Sequence, residues 1–471
     1  MLLTIDIGTS VFKSALWDYN GNRLSFAEIP LSKSASGFKQ EAESAQWLRA
    51  FENSCCGFKN LSAVRAIVIS GNGPSLTPVL GEPGIDERGL FLPAELSRLW
   101  LDRRAEKEAA EVSKVMGGFV DPAFFLPKVL DIKNNEPELY ERTKFFLGCP
   151  ECLAYSLCGE ARSVFPSAGF DRWFWNDDSL EKLKLDKNKF PPFIRPGDNF
   201  GTLKDAVASR LGFKRGIPVI SGGPDFFAAI LGAGVIRPGQ ACDRTGTSDG
   251  INLCTINRIE DARLMSYGHP VAPYWNLSGT ISTTGKAVEW CTDLLGISLN
   301  EFYSLAENSS AGSGGLVFLP YLAGERAPYW DPSLRGNWRG LSLSTGRGEL
   351  ARSVLEGVGF AIRDVISVME EAGADMNELR VTGGAAGSSL QNQIKADITG
   401  KAVLSSAYKE AELLGLAIIG ACALKQYGSF AQAAQALVRT ERVYEPDVKK
   451  NALYGELFQK YKQDNPVLMR K

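Results

Sequence analysis

Ser221–Gly250 reads SGGPDFFAAILGAGVIRPGQACDRTGTSDG and lies close to the middle of the 471-residue chain. The β-type run Ile217 to Ile220 leads into it and breaks at Gly222-Gly223. One acid, Asp225, follows, and the apolar run after it predicts a short helix over Phe226–Leu231. Gly232, Gly234, Pro238 and Gly239 end that helix and make a candidate hinge. A second loop, Thr245–Gly250, is built from Gly, Thr, Ser and Asp. In such a loop backbone N–H groups can approach anionic oxygens and hydroxyls add further donors. A carboxylate, a hinge and a phosphate-type loop therefore fall within one stretch, and the rest of the chain reads as two halves around them.

The length allows two or three domains at about 150 residues each. Hydrophobic residues at 44% and charged ones at 23% are ordinary for a globular protein. A net charge of −2, with no basic stripe, argues against a nucleic-acid surface. No apolar run is long enough to span a bilayer. The start, MLLTIDIG, has an acid too early for a signal peptide, so a cytoplasmic location is expected. The nine cysteines are scattered without a framework, which reads as reduced thiols. Cys149-Pro-Glu-Cys152 has the spacing of a metal or redox pair, but the one histidine, His269, is far away in sequence. A single histidine also makes a carboxylate the expected general base.

Leu2–Ile7 reads as a buried strand broken at Gly8-Thr9-Ser10, Phe12–Trp17 as the next strand, Asp18–Gly21 as a hairpin turn and Arg23–Ile29 as a third strand. Val64–Ser70 is a buried strand ending in Gly71-Asn72-Gly73-Pro74, and Leu96–Met116 carries a helical pattern. Ala241–Thr255 reads strand, loop, strand, the same kind of unit as Leu2–Trp17, and begins where the second half of a duplicated protein would. Later β and α segments alternate. Leu379–Thr382 ends in Gly383–Gly387, and a small-residue helix is expected over Glu410–Tyr427. This order indicates α/β domains.

Three Gly-rich loops thus follow strands: Gly8-Thr9-Ser10, Gly246-Thr247-Ser248 and Gly383–Gly387. One alone is equally a tight turn; three together favour a nucleotide held between two halves. No Gly-x-x-x-x-Gly-Lys-Ser/Thr run exists, so the chain is not a P-loop NTPase. Asp6, before the first loop, could hold a hydrated Mg2+, or could simply serve a turn. Lys13 could neutralise phosphate charge or be a solvated strand lysine. Asp225 could take a proton from a substrate hydroxyl attacking a phosphoryl group, although the dipole of a helix start favours an acid there in any case.

On these residues the chain resembles the FGGY carbohydrate kinase family, xylulokinase-like, within the actin-like ATPase superfamily. The resemblance runs nearly end to end. It is carried by Asp6-Ile7-Gly8-Thr9-Ser10, by Gly222-Gly223-Pro224-Asp225 with Gly232-Ala233-Gly234, by Phe318–Pro332 with Arg335-Gly336 and Leu355-Glu356-Gly357, and by Thr382–Ala386 with Ala396-Asp397. It implies two RNase-H-like domains with an ATP/sugar cleft between them, a sugar-binding domain over 1–236 and an ATP-binding domain over 237–471. By position Asp225 resembles the catalytic base. Thr9, Ser10 and Lys13 resemble one phosphate motif, with Asp6 holding Mg2+ through water, and Gly246, Thr247 and Ser248 a second. Gly383, Gly384 and Ala385 resemble the adenosine motif, and Gly285 a further nucleotide contact.

The sugar side departs from the pattern. Where xylulokinases tend to carry Gly-Gln-Met-His-Gly, this chain has Gly71-Asn72-Gly73-Pro74-Ser75, and Phe226 follows the base where Asn is frequent. Trp100, Asp102 and Arg103 do resemble the Trp-x-Asp-x-Arg segment. Gly73, Trp100, Asp102, Asp225 and Phe226 are the expected substrate residues. The expected activity is transfer of the ATP γ-phosphoryl group to a hydroxyl of a small sugar, first of all a ketopentose such as xylulose. Another polyol or sugar acid, such as gluconate or erythritol, and a non-catalytic actin-like nucleotide-binding sensor are the alternatives. Dimers are common in the resembling family, which leaves a homodimer open as the assembly.

Overall fold

The computed structural model describes residues 1–463. The chain forms two compact units, one of Met1–Gly232 with Glu412–Leu437, the other of Ala233–Ala411 with the chain from Val438 onward. The division falls near the expected 236/237, but the segment Glu412–Leu437, expected in the second domain, belongs to the first unit. The last residues of the expected second domain, 464–471, lie outside the described residues.

The first unit is organised on a six-stranded sheet. Its strands are β1 (Leu2–Ile7), β2 (Val11–Trp17), β3 (Arg23–Pro30), β4 (Ala66–Gly71), β5 (Asn199–Thr202) and β6 (Pro218–Pro224). Their order is β5-β6-β4-β1-β2-β3. β1 pairs antiparallel with β2 and parallel with β4, which pairs parallel with β6. LLTIDI and AIVISG are buried at every position, as strands covered on both faces must be, whereas the edge strand β3 is exposed at every second residue. The helices that bear on the site are α1 (Ala45–Gly57), α2 (Phe125–Asn135), α3 (Cys149–Cys158) and α4 (Asp225–Gly232). Trp47 and Phe51 of α1 and Leu153 and Tyr155 of α3 share one core with Leu3, Ile5, Ile67 and Val219 of the sheet.

The helix expected over Leu96–Met116 is only its second half, Glu106–Met116. Ser97-Arg98 is instead a short strand paired with Glu41-Ala42. Tertiary hydrogen bonds decide this: Arg98 N–H donates to Leu76 O and Leu99 N–H to Gln40 O, both at distances inside 3 Å (2.8 and 2.9 Å). Trp100 and Asp102 consequently sit on a loop rather than on a helix face.

The second unit repeats the plan on a seven-stranded sheet. Its strands are β7 (Gln240–Thr245), β8 (Asp249–Thr255), β9 (Met265–Gly268), β10 (Trp275–Ile281), β11 (Glu378–Gly383), β12 (Ala402–Ser406) and β13 (Thr440–Tyr444). They run in the order β9-β10-β8-β7-β11-β12-β13. β7 has an antiparallel hairpin partner, β8, on one side and a parallel strand, β11, on the other, as β1 has β2 and β4. Both sheets finish beyond their last parallel strand with an antiparallel one, β5 beside β6 and β13 beside β12. The faint repeat between Leu2–Trp17 and Ala241–Thr255 is thus the first hairpin of two equivalent sheets. Helices α5 (Gly285–Leu295), α6 (Arg347–Glu371) and α7 (Ser389–Thr399) belong to this unit, whose core joins Leu253, Leu277, Phe318, Val358, Ile362 and Leu379.

Helix α8 (Ala411–Ala423) carries the chain back to the first unit. Its sequence, AELLGLAIIGACA, has apolar residues on every side, and Leu413, Leu414, Leu416, Ile418 and Ile419 are all buried. A helix without a polar face has to be enclosed, and the small residues set how closely. Among the described residues no helix is long and apolar enough to cross a membrane.

The single histidine contributes to stability rather than chemistry. His269 is buried, its Nδ1 accepts the Val271 N–H at 3.0 Å, and burial lowers its pKa to about 3. The unfolded chain takes up the proton near pH 6.5, so it binds more protons than the native state below that pH. The stability held above pH 6.5 is therefore lost as pH falls, by up to about 1.4 kcal/mol per unit. We expect denaturant midpoints to drop between pH 7 and pH 5, and His269→Asn to flatten the drop. An unchanged slope in the variant counts against this account.

Candidate functional site

On the first unit the expected residues gather where β1, β4 and β6 end. The register aligns Ile7 with Gly71, and Gly71 with Pro224. Between Ser221 and Pro224 β6 has one residue more than its partner, a bulge that re-aims the chain. Its glycines are required by contact. A Cβ on Gly222 would lie 2.1 Å from Leu416 Cδ2, and Gly223, at φ +74°, carries a carbonyl that accepts the Ser70 hydroxyl at 2.8 Å. Asp225 follows as the first residue of α4, half-buried, its Oδ1 accepting the Phe226 N–H at 2.7 Å.

Asn72 holds the neighbouring strand end. Its backbone and side-chain N–H groups both donate to Ile7 O at 2.8 Å, and its Oδ1 accepts from Ser75 at 2.7 Å. The Cys149 thiol, at the start of α3, donates to Asn72 O at 3.0 Å. Burial pushes that thiol far up, and the nearby carboxylates, Glu151 first and then Asp6 and Asp225, push it further. The spacing that resembled a metal or redox pair is thus a pair of buried, protonated thiols, and Cys152 is raised by burial as well.

Trp100 joins this group by donating from Nε1 to Thr9 Oγ1 at 2.8 Å, linking an expected substrate residue to an expected phosphate residue. Ser10 is exposed, and its carbonyl accepts the Leu31 N–H. Lys13 stands opposite Asp6 in the β1–β2 register, with Nζ 3.9 Å from Glu28 Oε1. Gly73 has open space where a Cβ would be. Asp102, also expected to contact the substrate, lies behind the Trp100 loop. It is fully enclosed, and its oxygens accept from Arg104 Nε at 3.0 and 3.1 Å and from Gln40 N–H at 2.9 Å. Although burial opposes its charge, these donors hold its pKa below the usual value. These bonds brace the Trp100 loop. Phe226 stacks on Phe170, with centroids 6.0 Å apart and planes 20° from parallel, at the margin of an aromatic cluster that includes Trp173, Phe174 and Phe193.

Lys128 was not foreseen. It is completely enclosed on α2 and donates from Nζ to Pro74 O at 2.8 Å and to Leu99 O at 2.7 Å, so it ties the Gly73-Pro74 turn to the Trp100 loop. Burial lowers its pKa to about 7. A lysine inside the apolar run Phe124–Leu130 is the signal that could have revealed it.

On the second unit the register pairs Thr245 with Gly383, so the two loops leave the sheet side by side. Thr245 Oγ1 donates to Thr382 O at 2.7 Å and accepts Ala385 N–H at 3.0 Å. Gly383 has φ +87°, and a Cβ there would lie 2.1 Å from Thr245 O. Gly285, the first residue of α5, would bring a Cβ within 2.3 Å of Gly246 O. Gly246, Thr247 and Gly384 are exposed, while Ser248 and Ala385 are half-buried. The structure therefore assembles all the expected nucleotide residues of this unit at one end of its sheet. Exposed backbone N–H groups and hydroxyls beside a helix start suit phosphate oxygens.

This two-sheet architecture defines the class. Residues 1–232 match the N-terminal domain of the FGGY family of carbohydrate kinases and residues 244–424 its C-terminal domain. The chain belongs to the FGGY family of carbohydrate kinases, ATP-dependent enzymes that phosphorylate sugars. A xylulose kinase of Staphylococcus epidermidis is 27% identical, with 98% of this chain and 95% of that protein covered. A glycerol kinase of Citrifermentans bemidjiense is 28% identical, with 95% of each covered. The crystal structure of a "xyloylose kinase" from Brucella ovis superposes with a TM-score of 0.86 at 26% identity, covering 99% of both chains.

Proposed function

We propose that the enzyme transfers the γ-phosphoryl group of ATP to a hydroxyl of a ketopentose such as xylulose, with Asp225 as general base. The observation that carries this is the bulged end of β6, which delivers Asp225 to the same sheet end as Asp6, Asn72 and the Thr9–Trp100 pair. The nucleotide is read onto Gly246, Thr247, Ser248, Gly285, Gly383, Gly384 and Ala385. Thr9, Ser10 and Lys13 are read as phosphate contacts on the first unit. Phosphoryl transfer asks the protein mainly to position groups and spread charge, and one acid to take the hydroxyl proton.

The donor set fits a hydrated magnesium ion. Among the described residues no group of three or more Asp, Glu, His or Cys side chains could enclose a metal, and Mg2+ on phosphates characteristically needs only one or two carboxylates. Asp6 would hold it through water, and its chemistry there is to neutralise phosphate charge. Asp6→Asn is expected to raise the Mg2+ concentration for half-maximal rate about tenfold, with the KM for sugar unmoved. An unshifted magnesium curve refutes the role of Asp6.

A second acceptor class is favoured by a specific feature. The Phe226–Phe170 stack sits directly beside the base, and Asn72-Gly73-Pro74 offers few polar side chains. Xylulose kinases and a glycerol kinase are matched at nearly equal identity, so a polyol or sugar acid stands as the alternative acceptor. ADP release against ketoses, polyols and aldonates tests both: turnover of xylulose supports the first, and turnover of only another acceptor replaces it. The family resemblance also carries a homodimer, for which light scattering must give twice the chain mass.

A further inference from the structure

The second unit contains a buried charge triad that the reaction scheme does not use. Asp243 on β7, Asp249 at the start of β8 and Lys395 on α7 are each at most 1% exposed. Lys395 Nζ is bonded to Asp243 Oδ2 and lies 3.7 Å from Asp249 Oδ2. Burial works against the lysine's charge, but the two aspartates more than offset it and raise its pKa. Burial and then the charge of Asp243 raise that of Asp249, with Lys395 pulling the other way.

The remaining oxygen of Asp249 faces the loop. Oδ1 accepts the Gly246 N–H at 3.2 Å and the Thr284 hydroxyl at 2.6 Å. Thr284 precedes α5, and the N–H groups of Thr284 and Lys286 both donate to Thr247 O at 3.2 Å. One carboxylate therefore ties both sides of the turn Gly246-Thr247-Ser248 to the start of α5. Lys395 extends the tie to α7, which follows Gly383–Gly387, and Asn392 Nδ2 on the same helix donates to Ala386 O at 2.8 Å. Buried pairs of this kind are weak sources of net stability, because desolvation cancels much of the attraction. What they supply here is registration of two loops.

We propose that Asp249 is a positioning residue for the nucleotide, which, anchored by Lys395 and Asp243, holds the Gly246–Ser248 loop and the start of α5 in phosphate-binding geometry. The inference rests on the nucleotide reading of that loop. Its effect is confined to nucleotide binding, because every contact of the triad lies within the second unit.

Calorimetric titration of the full chain with ADP, together with KM values for ATP and for the sugar, tests it. Asp249→Ala is expected to weaken ADP binding about tenfold, the loss of one charge-assisted hydrogen-bond acceptor. It should raise the KM for ATP in parallel and leave the KM for sugar within about twofold. Asp249→Asn keeps an acceptor at Oδ1 and is expected to retain most of the affinity. Thr284→Val, which removes only the hydroxyl partner, should show a smaller loss in the same direction and guards against an alanine variant that does not fold. Wild-type-like ADP binding in Asp249→Ala, or equal rises in both KM values, overturns the proposal. Absence of ADP binding by the wild-type protein overturns the nucleotide reading and the proposal with it.

Discussion

Asp225→Ala is expected to lower turnover by at least about a hundredfold while ADP affinity stays within about twofold of wild type. A sugar hydroxyl is a poor nucleophile at neutral pH, and loss of the base that takes its proton typically costs two to four orders of magnitude. The loops read as holding the nucleotide, Gly246–Ser248 and Gly383–Ala385, belong to the second unit, so ADP binding provides an internal control. The change also removes the acceptor for the Phe226 N–H and the favourable charge at the start of α4. That charge is worth about 0.3–1 kcal/mol, too little to unfold the protein. Asp225→Asn separates the two effects, since its amide oxygen can still accept the Phe226 N–H but cannot act as a base. Both variants should be inactive in a coupled ADP-release assay, with Asn closer to wild type in melting temperature. Turnover within tenfold of wild type in either one removes Asp225 from the mechanism.

The nucleotide side was legible because its chemistry resides in the backbone. Gly285 and Gly383 are glycines for contact reasons, and such requirements leave a signature in sequence. The sugar side depends on side chains from segments far apart in the chain. Trp100 reaches Thr9 across 91 residues and Lys128 reaches Pro74 across 54, and no local pattern encodes either meeting. Asp102 shows the same effect in reverse: it falls within a recognisable segment, yet Arg104 and Gln40 occupy it. The second sheet was half read, since Met265–Gly268, Trp275–Ile281 and Thr440–Tyr444 were not assigned, and the equivalence of the two sheets rests partly on the last of these. The buried triad was missed because Asp243 and Asp249 flank a loop where acids look solvated, and only the fold shows that β7, β8 and α7 enclose them.

Helix α8, which packs with the first unit, yields the second large effect. Gly415→Ala is expected to destabilise the protein by about 3 kcal/mol, the upper end of ordinary overpacking, and to reduce turnover as well. Gly415 lies on α8, and a Cβ there would sit 1.8 Å from Ala228 O and 2.6 Å from its carbonyl carbon. The obstruction is the backbone of α4, which no rotamer change can move, so the two helices must separate. Alanine is otherwise the better helix former, by about 1 kcal/mol over glycine, so any measured loss understates the cost of the contact. Because α4 begins at Asp225, separation moves the base, and α8 also places Leu416 against Gly222 in the bulge before it. The expected pattern is a lower denaturant midpoint, a lower kcat and an unaltered ADP affinity. Gly455, on the helix Val448–Gln463, has nothing within 4 Å of a Cβ and serves as the control, for which the same substitution should be neutral or slightly stabilising. If Gly415→Ala behaved like Gly455→Ala, the close contact of α8 with α4 would not be what positions Asp225.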